Sequence, residues 1–109
     1  MARALKNQNA FHPDFPLFLI ARNGRPLVSS EGNEKAAFAY SNRERAELAG
    51  VRFLAQDFQN IGVLSVSTKE RFVEVISQLM RHKVTHLSWD YLGDPATRKL
   101  IPLASIPRR

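Results

Sequence analysis

The chain has 109 residues, 44% of them hydrophobic and 24% charged, which suits one soluble domain with a modest core and no need of staples. It contains no cysteine, so disulfides, iron–sulfur clusters, thiolate zinc sites and thiol catalysis are all excluded. The net charge of +6 belongs to the ends, since residues 14–95 hold as many acidic as basic side chains and the excess lies in Arg3, Lys6, Arg98, Lys99, Arg108 and Arg109.

No apolar run approaches the roughly 18 residues that a membrane span needs. The opening segment "MARALKNQNAFHPDFP" is basic but has no apolar centre, so it does not read as a secretory signal. Residues 1–15 show no period, and Pro13 and Pro16 oppose a helix there, so they read as an N-terminal arm. Residues 16–106 read as a single α/β domain and residues 107–109 as a basic end.

Within the domain, "LFLIARNGRPLVSS" gives two apolar runs around Asn23-Gly24, a pair suited to a type I′ turn because both central positions need positive φ. Residues 17–22 and 25–29 therefore read as a β-hairpin, with Pro26 at an edge or a strand start. "EGNE" at 31–34 is a second turn, and "KAAFAY" at 35–40 a third strand, so the chain opens as an antiparallel meander. "SNRERAELAG" at 41–50 reads as a short helix, with Ser41 and Glu44 at capping-box spacing and Gly50 as its left-handed stop. "VRFLAQDF" from Val51 resumes strand character. "NIGVLSVS" at 60–67 is a strand or a loop. A second helix follows, with Ser67 and Glu70 at capping-box spacing and Phe72, Val73, Ile76, Leu79 and Met80 recurring at three and four. Residues 84–91 are a strand, residues 92–99 a turn-rich loop, and "LIPLASI" a last edge strand limited by Pro102 and Pro107. The fold class this predicts is α+β: a sheet of five or six strands with two helices on one face, and the other face solvated or set against a partner.

The stretch "VTHLSWDYLGDP" at 84–95 carries the candidate chemistry. His86, Ser88 and Asp90 alternate with Leu87, Trp89 and Tyr91, so each set shares one face of a strand. They do not make a triad. Same-face neighbours are about 6.6 Å apart, which places His86 and Asp90 about 13 Å apart with the serine between them, whereas the histidine must bridge the other two. Leu87, Trp89 and Tyr91 are expected to face the helices, because burying the polar set would be costly. That leaves His86, Ser88 and Asp90 turned to water or a partner. His82 and His86 have a four-residue spacing that pairs two metal ligands on a helix, but the β-branched Val84 and Thr85 between them favour a strand. No glycine-rich phosphate loop is present. Arg22 and Arg25 face each other across the Asn23-Gly24 turn, an arrangement that either holds an anion or splays into water.

Two segments together resemble a known group. "AFAYSNRERAELAG" is a strand running into a capped helix, and "KVTHLSWDYLGDP" is a strand that follows a long amphipathic helix and ends in a turn. Over residues 17–103 this arrangement is similar to small bacterial domains of the serine-sensitivity-enhancer type, the SseB N-terminal-like group. It departs from their pattern at Lys83, where a glycine is common, and in the longer "WDYLGDP" ending. The resemblance implies a mixed α/β fold and brings no catalytic residues. The sequence thus points to a small cytoplasmic, non-enzymatic domain without cofactor or metal. Its leading expected partner is a protein, including a second copy of itself. Nucleic acid held by the basic ends is the alternative, and no membrane is involved. The candidate anion or partner contacts are Arg22, Arg25, His86, Asp90, Arg98 and Lys99.

Overall fold

The computed structural model describes residues 11–56, 58–93 and 98–107. Arg3, Lys6, Arg108, Arg109 and the Asp94-Pro95 turn lie outside them. In chain order the elements are β1 (Leu17–Arg22), β2 (Arg25–Pro26), β3 (Val28–Glu31), β4 (Glu34–Tyr40), α1 (Arg43–Ala55), β5 (Ile61–Val66), α2 (Lys69–Arg81), β6 (His86–Trp89) and β7 (Lys99–Pro102), with a 3-10 turn at Leu103–Ser105. The class is α+β, as the element pattern predicts, and the sheet is mixed and open.

The opening hairpin forms as its turn chemistry requires, with Asn23 and Gly24 at φ 56° and 79°. β2 and β3 are one bent strand interrupted at Leu27, whose amide donates to the Ile20 carbonyl. This bent strand first pairs with the end of β1 and then with the start of β4. Beyond it, β1 and β4 meet directly at Phe18–Tyr40 and Leu19–Ala39. β6 joins β4 in parallel, β7 closes one side, and β5 runs antiparallel to β1 along its whole length at the other side.

The two helices divide between the two faces, which corrects the expectation that both cover one. The alternation along β1 and β4 decides it. Leu17, Leu19, Ala37 and Ala39 face α2, which buries Phe72, Val75, Ile76 and Leu79 against them. Phe18, Ile20, Phe38 and Tyr40 face α1, which buries Ala46 and Ala49. Both faces of the central strands are therefore apolar, which is why β1 reads as an unbroken hydrophobic run. From the N-terminal arm, Phe11 and Phe15 lie against Phe72, and Phe11 also meets Trp89 edge-on with centroids 4.9 Å apart.

Three local readings also change. Asn42, not Ser41, caps α1, its side chain accepting from the Arg45 amide at 2.8 Å. The helix runs through Gly50, which has no positive φ, to Ala55, so residues 51–55 are helix and not strand. The reason is visible in the spacing: Ala46, Ala49, Gly50 and Phe53 continue one helical face onto the sheet. At α2 the cap is Thr68, accepting from the Arg71 amide. This helix ends in a Schellman arrangement, with Lys83 at φ 65° and Val84 N–H donating to the Leu79 carbonyl at 3.0 Å. Residues 60–67 resolve in favour of a strand over 61–66.

Candidate functional site

The polar residues of "VTHLSWDYLGDP" part company. Ser88 is fully buried on the α1 face, opposite Phe38 in the parallel register with β4. It does not face water or a partner, because α1 covers the side that was expected to be bare. His86 is half-buried, with Nδ1 2.8 Å from Thr85 Oγ1 and Nε2 3.9 Å from Glu34 Oε2. Asp90 leaves the strand altogether. Its φ of 53° breaks the alternation after Trp89 and sends Tyr91 to the opposite core from Leu87 and Trp89. Leu87 and Trp89 do pack toward α2, whereas Tyr91 packs toward α1.

Asp90 has a structural partner. Its Oδ1 accepts from the Ser41 amide at 2.7 Å and its Oδ2 from the Ser41 hydroxyl at 2.8 Å. The carboxylate therefore ties the exit of β6 to the turn between β4 and α1. Beside it, the Tyr40 hydroxyl donates to the Tyr91 carbonyl at 2.7 Å. Burial, reinforced by the Asp90 carboxylate, pushes the Tyr40 phenol well above its ordinary value. These contacts hold strands and helix together and engage both carboxylate oxygens of Asp90.

The basic candidates do not converge either. Arg22 and Arg25 oppose each other at the hairpin end, as the spacing predicts. Arg22 lies 5.6 Å over the Phe58 ring, and Arg25 stands at the rim of a groove of about 440 Å³ that also exposes His82 and Val28. Arg98 lies 5.5 Å over the Tyr91 ring, and Lys99 is exposed opposite Trp89. The registers put Arg22, Arg25 and His86 toward one end of the sheet and Asp90, Arg98 and Lys99 toward the other. No single anion could engage all of them. Among the described residues, no group of three or more His, Asp or Glu side chains is placed to hold a metal ion.

What stands out instead is one sheet edge and the helix above it. The two-residue turn makes Arg22 and Arg25 the closing hydrogen-bonded pair, so the backbone groups of Arg22 point toward β2. The Ile20 carbonyl, accepting from Leu27, points the same way. Strand backbone groups alternate sides, so Leu17, Leu19 and Ala21 direct theirs to β5, where they meet Val66, Leu64 and Gly62. The Asn23 amide, donating to the Asn60 carbonyl at 3.1 Å, continues the series. Ile61, Val63 and Ser65 consequently aim their amides and carbonyls outward. Among the described residues β5 pairs with β1 alone. Its sequence "IGVLSV" has no charge and no proline, whereas the opposite edge, β7, carries Lys99 and Pro102, both of which discourage strand addition.

α1 descends onto β5 at Gly50, where a Cβ would lie 3.6 Å from Ile61 Cγ2. Its outer face carries Leu48, Val51 and Leu54, which are 54%, 64% and 52% exposed. Spacing of three along a helix gathers them into one stripe. Sequence reading missed this surface because it ended the helix at Gly50 and assigned Val51 and Leu54 to a strand. The signal was present: Leu48, Val51 and Leu54 recur at three, out of phase with Ala46, Ala49 and Phe53.

The fold is a small three-layer α+β domain in which, among the described residues, the edge strand β5 pairs with β1 alone. Comparison with known proteins adds no relative to this description: no family model and no curated protein matches the chain.

Proposed function

We propose that the chain is a non-enzymatic protein-interaction domain that works through the outer edge of β5 and the exposed stripe of α1. The observation that carries this reading is the outward-facing, uncharged edge of Ile61, Val63 and Ser65 beside the bare apolar residues Leu48, Val51 and Leu54. An open strand offers main-chain hydrogen bonds to another strand, and neighbouring apolar side chains give the contact its specificity. An exposed run of large hydrophobic residues on one helix face likewise marks a contact surface. The fate of Asp90 supports the same reading, since both its carboxylate oxygens are spent on Ser41.

Site-directed photo-crosslinking in the source cell tests it. A crosslinker at Val51 or Ser65 should trap discrete protein adducts, while one at the exposed Arg81 of α2 should not. Equal trapping at all three positions, or none at Val51 and Ser65, would overturn the reading. The nucleic-acid alternative depends on chain ends that lie mostly outside the described residues, and the described cations Arg98 and Arg22 are engaged with aromatic rings.

A further inference from the structure

We infer that the partner of the β5 edge is a second copy of this chain, paired antiparallel about a two-fold axis at Val63. The inference rests on the interaction reading above and names its partner. Only Ile61, Val63 and Ser65 present outward backbone groups, so the strand can add to itself in few registers. With Val63 opposite its own copy, Ile61 stands opposite Ser65 and Ser65 opposite Ile61. All outward groups are then used, giving about six inter-chain hydrogen bonds. A shift by one step in either direction strands part of the edge, setting Ser65 against Gln59 or Ile61 against Ser67, where the ladder with β1 has already ended.

The helices select the same register through charge. β5 is antiparallel to β1 and β1 to β4, so β5 runs parallel to β4, and α1, which returns between them, runs opposite to β5. Gly50 marks the height of Ile61. Val63 is about 6.6 Å further along the strand, which corresponds to about four helical residues back along α1, near residue 46. The contact of Arg43, 5.0 Å over the Phe18 ring, agrees with this, since Phe18 is in register with Ser65. Residues one turn apart on the side of Gly50 that meets β5 are Arg43, Glu47 and Leu54. An axis at about the height of residues 45 and 46 brings Arg43 of one copy near Glu47 of the other, twice by symmetry. An axis at Gly62 would bring the two Glu47 carboxylates together, and one at Leu64 would bring the two Arg43 guanidiniums together. Among the described residues Glu47 has no ion pair within its own chain. Backbone valence and charge therefore agree on one isologous arrangement.

Sedimentation equilibrium of the full chain over a wide concentration range tests the pairing, with three variants. The wild type should pass from monomer to dimer. Val63→Pro removes an outward amide and no bond to β1, so it should be folded by circular dichroism and monomeric. Glu47→Arg should weaken the dimer by about tenfold, and the double variant Arg43→Glu/Glu47→Arg should restore it, because the swap returns the attraction. A wild type that stays monomeric throughout, or a dimer indifferent to Val63→Pro and to both charge variants, would overturn the pairing. The two readings fail separately. A monomeric chain whose Ser65 crosslinker still traps a different protein loses the second copy as partner and keeps the interaction surface, whereas a chain that traps nothing there loses both.

Discussion

At the scale of single residues, the reactive-looking Asp90 is a brace. Asp90 is held at positive φ, a conformation that aspartate tolerates better than most side chains, and spends both carboxylate oxygens on Ser41. Asp90→Ala loses both bonds and puts a Cβ-bearing residue without local compensation in the left-handed region. It should cost about 2–3 kcal/mol by urea denaturation, while Asp90→Asn, which keeps the backbone preference and one acceptor, should cost about half as much. Tyr40 gives a pH signature. Its folded phenol is raised, so above the ordinary tyrosine value of about 10 the unfolded chain has released the proton while the folded chain still holds it. The unfolded state then binds fewer protons, and stability falls as pH rises past about 10. Tyr40→Phe should start about 1 kcal/mol less stable at neutral pH, having lost the bond to the Tyr91 carbonyl, and should lose less stability than the wild type between pH 9 and about 11. Parallel melting curves across that interval check the sign.

At the scale of elements, Gly50 separates two readings of the same stretch. As a left-handed helix stop it would be intolerant of any side chain. As an interior helical residue with negative φ it carries only the entropic penalty of glycine, and a Cβ there meets Ile61 at an ordinary van der Waals distance of 3.6 Å. Gly50→Ala should therefore stabilise the chain by about 0.5–1 kcal/mol in denaturant, where the stop reading expects a loss. The same element shows why its length was hard to read. Seven residues of "RERAELAG" carry strong helix signals, but Val51 and Phe53 alternate like a strand and compete with the helical spacing of Ala46, Ala49 and Phe53, and the packing of Phe53 on Phe38 and Phe58 decides for the helix. α2 posed no such conflict, since its apolar positions follow one period from Phe72 to Leu79. β5 was ambiguous because Val63 and Leu64 face opposite cores, so neither alternation nor a single buried face is visible along it.

For the whole molecule, what the sequence left illegible was which side each helix takes. Local pattern fixes the hairpin, the two helices and the strand at Leu87, because turns, caps and periodicity act within a few residues. The division of the helices between faces depends on pairings far apart in the chain, above all β4 beside β6, and it reverses the environment of Ser88 from exposed to buried. The open edge of β5 was hidden for the same reason, since its pairing with β1 alone among the described residues is a property of the assembled sheet. The arm at residues 11–15 is likewise read only in the folded state, where Phe11 closes an aromatic cluster over Phe72 and Trp89. Trp89 is the sole tryptophan, so its emission reports that closure directly. Phe11→Ala opens the edge-on contact and admits water to the indole. Its emission should shift to the red while the far-ultraviolet dichroism stays native, with a stability loss of about 1–3 kcal/mol, below that of a fully buried phenylalanine because Phe11 is only partly covered. An unshifted emission with unchanged stability would mean that the arm rests on the core without contributing to it.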